Sequence, residues 1–120
     1  MGADFNLLDP ITKEEIHFDS PHQLQGGTYA LGGTTEAWLS ITYNYFDFYR
    51  KVIPLEDGLR GIVGMSAVDT IPILEEAISK LGDDVSSNYW DATEGNARRA
   101  LIQLLTLAKM RPDSIWGGSF

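Results

Sequence analysis

The chain contains no cysteine. Disulfide frameworks, thiolate zinc sites and cysteine nucleophiles are therefore excluded, and the composition fits a reducing compartment. Histidine is scarce, with two residues, and basic side chains are outnumbered, nine against seventeen acidic. The resulting formal charge of −8 repels phosphate backbones and anionic bilayers, so direct nucleic-acid or membrane binding is not expected. No stretch approaches the roughly 18 apolar residues of a membrane span. The opening MGADFNLLDP has neither the basic nor the apolar region of a secretory signal, and no Ser or Thr stands where a myristoylation signal needs one.

What remains is an ordinary globular composition, 43% hydrophobic and 22% charged over 120 residues. That length supports one domain, residues 1–120, with a single modest core. Its aromatics are unevenly spread. Six of the thirteen fall in the run Trp38 to Tyr49, directly after the glycine-spaced segment GGTYALGGTT. Aromatic side chains bury large areas and also make common recognition surfaces, so this stretch predicts both a core and a binding wall.

Local patterns predict an α+β fold with N-terminal antiparallel β-hairpins packed against C-terminal helices. Phe5–Leu8 and Glu15–Phe18 read as strands joined by a turn at Asp9-Pro10-Ile11-Thr12. Thr28–Leu31 and Glu36–Tyr43 read as a second hairpin, with Leu39, Ile41 and Tyr43 on its core face. Asn44 then caps a short helix through Val52, ended by Pro54; one continuous helix from Thr35 is the competing reading. GLRGIVG is a turn or short helical segment. Ser66 opens a helix with the stripe Ile71, Leu74, Ile78 and Leu81, ending at Gly82 and tolerating Pro72 in its first turn. Thr93 caps the last helix, whose Ala97, Ala100, Leu101, Leu104, Leu105 and Ala108 follow helical spacing until Pro112.

No catalytic constellation is legible. The glycine segment lacks the Lys-Ser/Thr ending of a phosphate loop and the spacing of a dinucleotide fingerprint, so its glycines read first as turns. His17, Asp19 and His22 match no established ligand spacing, and neither metal nor cofactor is expected. Asp83-Asp84 and Asp91-Glu94 bracket Tyr89-Trp90, but acids near helix ends more often serve the helix dipole than acid/base catalysis. Arginines beside aromatic walls can hold an anion. Trp38, Asn44, Tyr45, Arg50, Arg60, Trp90 and Asn96 are accordingly the predicted contacts for a small polar or nucleotide-like ligand.

The runs GGTYALGGTTEAWLSITYNY, SAVDTIPILEEAISKLGDD and YWDATEGNARRALIQLLTLAKMRPDSIW resemble small uncharacterised proteins of tailed bacteriophages and prophages. The resemblance implies a bacterial cytoplasm as setting and no assigned activity. It suggests a non-enzymatic counter-defence binder that sequesters a small ligand. The alternative is an acidic, anti-CRISPR-like inhibitor that occupies the basic nucleic-acid groove of a host defence protein. Homo-oligomerisation is compatible with either.

Overall fold

The computed structural model describes residues 2–22, 34–88 and 91–120. They form β1 (Gly2–Leu8), β2 (His17–His22), β3 (Thr34–Glu36), β4 (Trp38–Thr42), α1 (Phe46–Val52), α2 (Ala67–Lys80), α3 (Glu94–Met110) and β5 (Ile115–Ser119). Short 3₁₀ turns occupy Tyr43–Tyr45 and Gly58–Ile62. The α+β class follows, with antiparallel strands early and helices late. Thr28–Leu31, the glycines at 26, 27, 32 and 33, and Trp90 lie outside the described residues.

β1 alternates strictly, with Ala3, Phe5 and Leu7 fully buried and the residues between them half-buried. A strand with one buried face must lie on a core, and β1 does so from the middle of a three-stranded antiparallel sheet ordered β4-β1-β5. Phe5 stands opposite Leu39, and Leu7 opposite Trp116. The sheet thus presents Ala3, Phe5, Leu7, Leu39, Ile41 and Trp116 to the helices. Each large side chain so buried contributes about 1.5–3 kcal/mol.

The turn after β1 forms as its residues require. The Asp9 Oδ1 accepts from the amides of Ile11 at 2.8 Å and Thr12 at 3.0 Å, and these bonds hold its carboxyl below the usual carboxylate range. The expected hairpin does not continue. After the isolated Leu8–Glu15 bridge the chain leaves β1, and β2 pairs with β3 in a separate two-stranded sheet. The two edges of β1 are taken by β4 and the C-terminal β5 instead.

β5 is the element that sequence reasoning missed. It is tied in by the start of α2, whose amides at Ala67 and Val68 donate to the carbonyls of Ser114 (2.8 Å) and Pro112 (3.2 Å). Helix N-termini have amides without intrahelical acceptors, and here the approach to β5 supplies two. Ser66 makes no side-chain cap; the backbone amide of Asp69 donates to the Ser66 carbonyl at 3.0 Å. Pro72 lies in the second turn of α2, not the first, so the Val68 carbonyl receives no helical amide from it. The helix ends on Leu81 with extended backbone, and Gly82 does not adopt a left-handed conformation.

Trp116 locks the layers together. Its Nε1–H donates to Thr70 Oγ1 at 2.9 Å, and the Thr70 hydroxyl donates to the Ala67 carbonyl at 2.7 Å, all buried. Between α1 and α3 the buried Tyr49 hydroxyl donates to the Ala97 carbonyl at 2.9 Å. Burial, and then the neighbouring Tyr45, push the Tyr49 phenol well above its ordinary pKa.

Candidate functional site

The aromatic run divides between core and surface. Strand β4 ends at Thr42, whose side chain accepts from the Asn44 amide at 3.4 Å and opens the 3₁₀ turn. A 3₁₀ turn advances three residues per revolution, so the strand's alternation is broken at Tyr43. Tyr43 consequently lies half-buried, whereas Tyr45, Phe46 and Tyr49 enter the core. The rings meet edge to face, Tyr43–Phe46 and Phe46–Tyr49 both at 5.6 Å between centroids.

After α1 the chain reverses on itself. Pro54 follows the extended Ile53 cap, and Gly58 adopts φ 60° with its amide donating to the Leu55 carbonyl at 3.0 Å. A Cβ at Gly58 would stand 3.3 Å from Arg50 Cγ, so this turn presses closely on α1. The reversal brings Arg60 back over the aromatic run. Its guanidinium carbon lies 5.6 Å from the Tyr43 ring centre, 5.5 Å from Phe46 and 5.3 Å from Phe120. Phe120 in turn packs edge-on against Phe5 at 5.5 Å.

Arg60 shares a cleft of about 350 Å³ with Phe46, Arg50, Glu56 and Asp57. Arg50 makes one long ion pair, 3.9 Å to the exposed Asp47, of a kind that contributes little. Neither Arg50 nor Arg60 pairs with Glu56 or Asp57 among the described residues. Two cations and two anions therefore line one concavity without forming ion pairs with each other. Such a wall can hold a ligand that carries both acceptors and donors.

The predicted contacts separate accordingly. Arg50 and Arg60 come together in this cleft, joined by Phe46, Glu56 and Asp57, which sequence reasoning did not select. Tyr43, expected in the core, and Phe120 hold Arg60. Asn44 is exposed but lines neither concavity described here. Trp38 lies elsewhere, on the outer face of the sheet, in a concavity of about 270 Å³ with Asp4, Asn6, Glu15, Glu36, Gly118 and Ser119.

Two predicted contacts are corrected by burial. Tyr45 has no exposed surface, so no ligand reaches it in this structure. Asn96 is 1% exposed and its carboxamide is engaged through both oxygen and nitrogen. Its Oδ1 accepts from the Ser86 amide at 3.0 Å, and its Nδ2 donates to the carbonyls of Asn88 (3.1 Å) and Asp91 (3.0 Å). It anchors the connection between α2 and α3.

The acids of that connection are employed in the same way. Asp84 Oδ1 accepts from the Gly95 amide at 2.9 Å, Glu94 Oε1 from the Gly82 amide at 3.1 Å, and Asp91 Oδ2 from the Ser86 hydroxyl at 2.5 Å. Thr93 caps α3 through the Asn96 amide at 3.1 Å. Carboxylates gathered at a helix N-terminus are stabilised by its dipole and free amides. Among the described residues no three His, Asp or Glu side chains converge as a metal-binding group, and no helix is long and apolar enough to cross a membrane. Comparison with protein-family models, curated proteins and solved structures finds no match to this chain.

Proposed function

We propose that the protein is a non-enzymatic binding protein that holds a small anionic, nucleotide-like ligand in the Arg50–Arg60 cleft. One observation carries this reading: Arg60 is braced on three rings and makes no ion pair among the described residues, beside a second arginine in the same concavity. An arginine so placed keeps its in-plane N–H donors for an incoming oxyanion, and its planar fork suits phosphate. The cleft volume lies at the lower end of small-molecule sites, about 300–1,000 Å³. The resemblance to phage and prophage proteins supplies the setting, a bacterial cytoplasm, and sequestration of a defence signal as the biological role.

The test is thermal stabilisation by nucleotides and inorganic phosphate, with recovery of intact ligand after denaturation. Ligand at about 100 times its dissociation constant stabilises the native state by about 2.7 kcal/mol. Arg60→Ala should abolish the stabilisation and Arg50→Ala should weaken it. Chemical conversion of the ligand would contradict the non-enzymatic role, and no stabilisation by any anion would remove the cleft from consideration.

A second reading is favoured by the Trp38 concavity. Three carboxylates, Asp4, Glu15 and Glu36, surround a half-buried indole there, and lysine or arginine side chains suit such a wall by charge and by stacking. An inhibitor of a basic nucleic-acid groove would use this face. It would bind its protein partner with strong salt dependence, lose binding on Trp38→Ala, and ignore free nucleotides.

A further inference from the structure

We infer that the ligand of the Arg50–Arg60 cleft is a guanine nucleotide. The inference rests on the anion-binding reading above and adds the identity of the base. A purely anionic ligand would satisfy the two arginines but set its charge against Glu56 and Asp57, which line the same concavity. The ligand must therefore carry hydrogen-bond donors as well as a phosphate. Glu56 and Asp57 are exposed acceptors with no ion-pair partner among the described residues.

Base chemistry narrows the choice. An ionised carboxylate is acceptor-only, with two oxygens spaced to receive two parallel N–H bonds. Guanine displays that pair on one edge, its ring N1–H beside the 2-amino group. Adenine and cytosine present an amino group next to an acceptor nitrogen, and uracil sets its ring N–H between two carbonyl oxygens. Each of these leaves one carboxylate oxygen facing a lone pair, which a site built for two donors rejects.

The rest of the nucleotide fits the remaining wall. The rings of Tyr43, Phe46 and Phe120 surround the Arg60 guanidinium at 5.3 to 5.6 Å. Arg60 is itself exposed, so its in-plane N–H donors remain open to the phosphate. Arg50, 69% exposed and only loosely held by Asp47, is available to the phosphate. About 350 Å³ accommodates one nucleotide, not a chain of them.

Calorimetric titration of the full chain with GMP, IMP, AMP and inorganic phosphate tests the assignment. GMP should bind about tenfold tighter than IMP, which lacks the 2-amino group, and about 100-fold tighter than AMP. Glu56→Gln or Asp57→Asn, whichever carboxylate meets the base, should bring GMP down to the AMP level. Phosphate binding should then hold steady or strengthen, because a repelling charge has gone. The residues are exposed, and an unchanged melting temperature of each free variant confirms an intact fold. Equal binding of GMP and AMP, or of GMP and IMP, overturns the guanine assignment while leaving the anion site standing. Failure of all four, phosphate included, overturns both.

Discussion

Replacing Asn96 with alanine separates an anchoring side chain from a ligand contact. The substitution removes three hydrogen bonds at 3.0 to 3.1 Å, from the Ser86 amide and to the Asn88 and Asp91 carbonyls. A typical net contribution is about 1 kcal/mol per bond, which sets about 3 kcal/mol as the full effect. Water moderates it. Asn88 and Asp91 are exposed, so their carbonyls can be rehydrated, whereas the half-buried Ser86 amide is served less well. The expected loss is about 2 kcal/mol, or about 8 °C in melting temperature for a domain near this size. Urea unfolding reads it as a lower midpoint at unchanged slope. Phosphate and GMP affinity should be unaltered, because Asn96 does not line the Arg50–Arg60 cleft. A loss below about 0.5 kcal/mol would refute the anchoring account, and a loss of affinity at intact stability would return Asn96 to the ligand.

Three further substitutions probe the supports of the fold. Gly95→Ala improves helix propensity by about 1 kcal/mol. Its Cβ, however, would stand 2.5 Å from the Asp84 carbonyl carbon and the Val85 nitrogen, both backbone atoms, so denaturant unfolding should show a net loss of about 1–2 kcal/mol. Thr70→Val leaves the buried Trp116 N–H without its acceptor and should lower stability by about 2 kcal/mol, with Thr70→Ser recovering most of it. Tyr49→Phe should cost about 1 kcal/mol at neutral pH through the bond to Ala97. It should also change the alkaline limb. The folded phenol is held well above 10.0, so above that pH the unfolded chain releases a proton that the folded chain retains. Wild-type stability then falls by up to about 1.4 kcal/mol per pH unit from this group, a component absent in Tyr49→Phe. Parallel alkaline profiles for the two proteins would contradict the assignment.

Elements governed by their own residues were legible. α3 follows from its spacing of Ala97, Ala100, Leu101, Leu104 and Ala108 and from the Thr93 cap, and the strand-then-helix division of residues 38–52 follows from β-branched alternation that stops at Thr42. Alternation fixes which face of a strand is buried but not which strand lies beside it. The local hairpin of β1 with β2 was therefore the natural inference, although β1 joins two strands that are distant in sequence. β5 was hidden by its own glycines. Gly117 and Gly118 carry none of the β-branched or aromatic character that marks a strand. A Cβ at Gly117 would stand 2.5 Å from Asn6 Oδ1 and 2.9 Å from Leu8 Cδ1, so side chains of β1 lie over the position that another residue's side chain would occupy.

The same distinction governs the cleft. Arg50 and Arg60 were recognisable as arginines near rings, but their meeting depends on the Gly58 turn, and a positive φ at one glycine is not encoded by the arginines it brings together. The choice of rings failed for a related reason. Extending the strand period through Tyr43 places it in the core with Leu39 and Ile41, whereas the three-residue turn that starts there rotates that phase and leaves Tyr43 half-buried beside Arg60, with Tyr45 in the core. Phe46 and Phe120 then complete a support for a guanidinium that makes no ion pair among the described residues. Aromatic bracing of this kind is worth about 0.5–1 kcal/mol at an exposed position, too little to explain the fold. It does limit the rotamers open to the guanidinium, and an arginine already restricted loses less freedom when an oxyanion arrives. Glu56 and Asp57 keep the cleft near electrical balance on a strongly acidic chain, so the proposed recognition rests on how donors and acceptors are arranged and not on net charge.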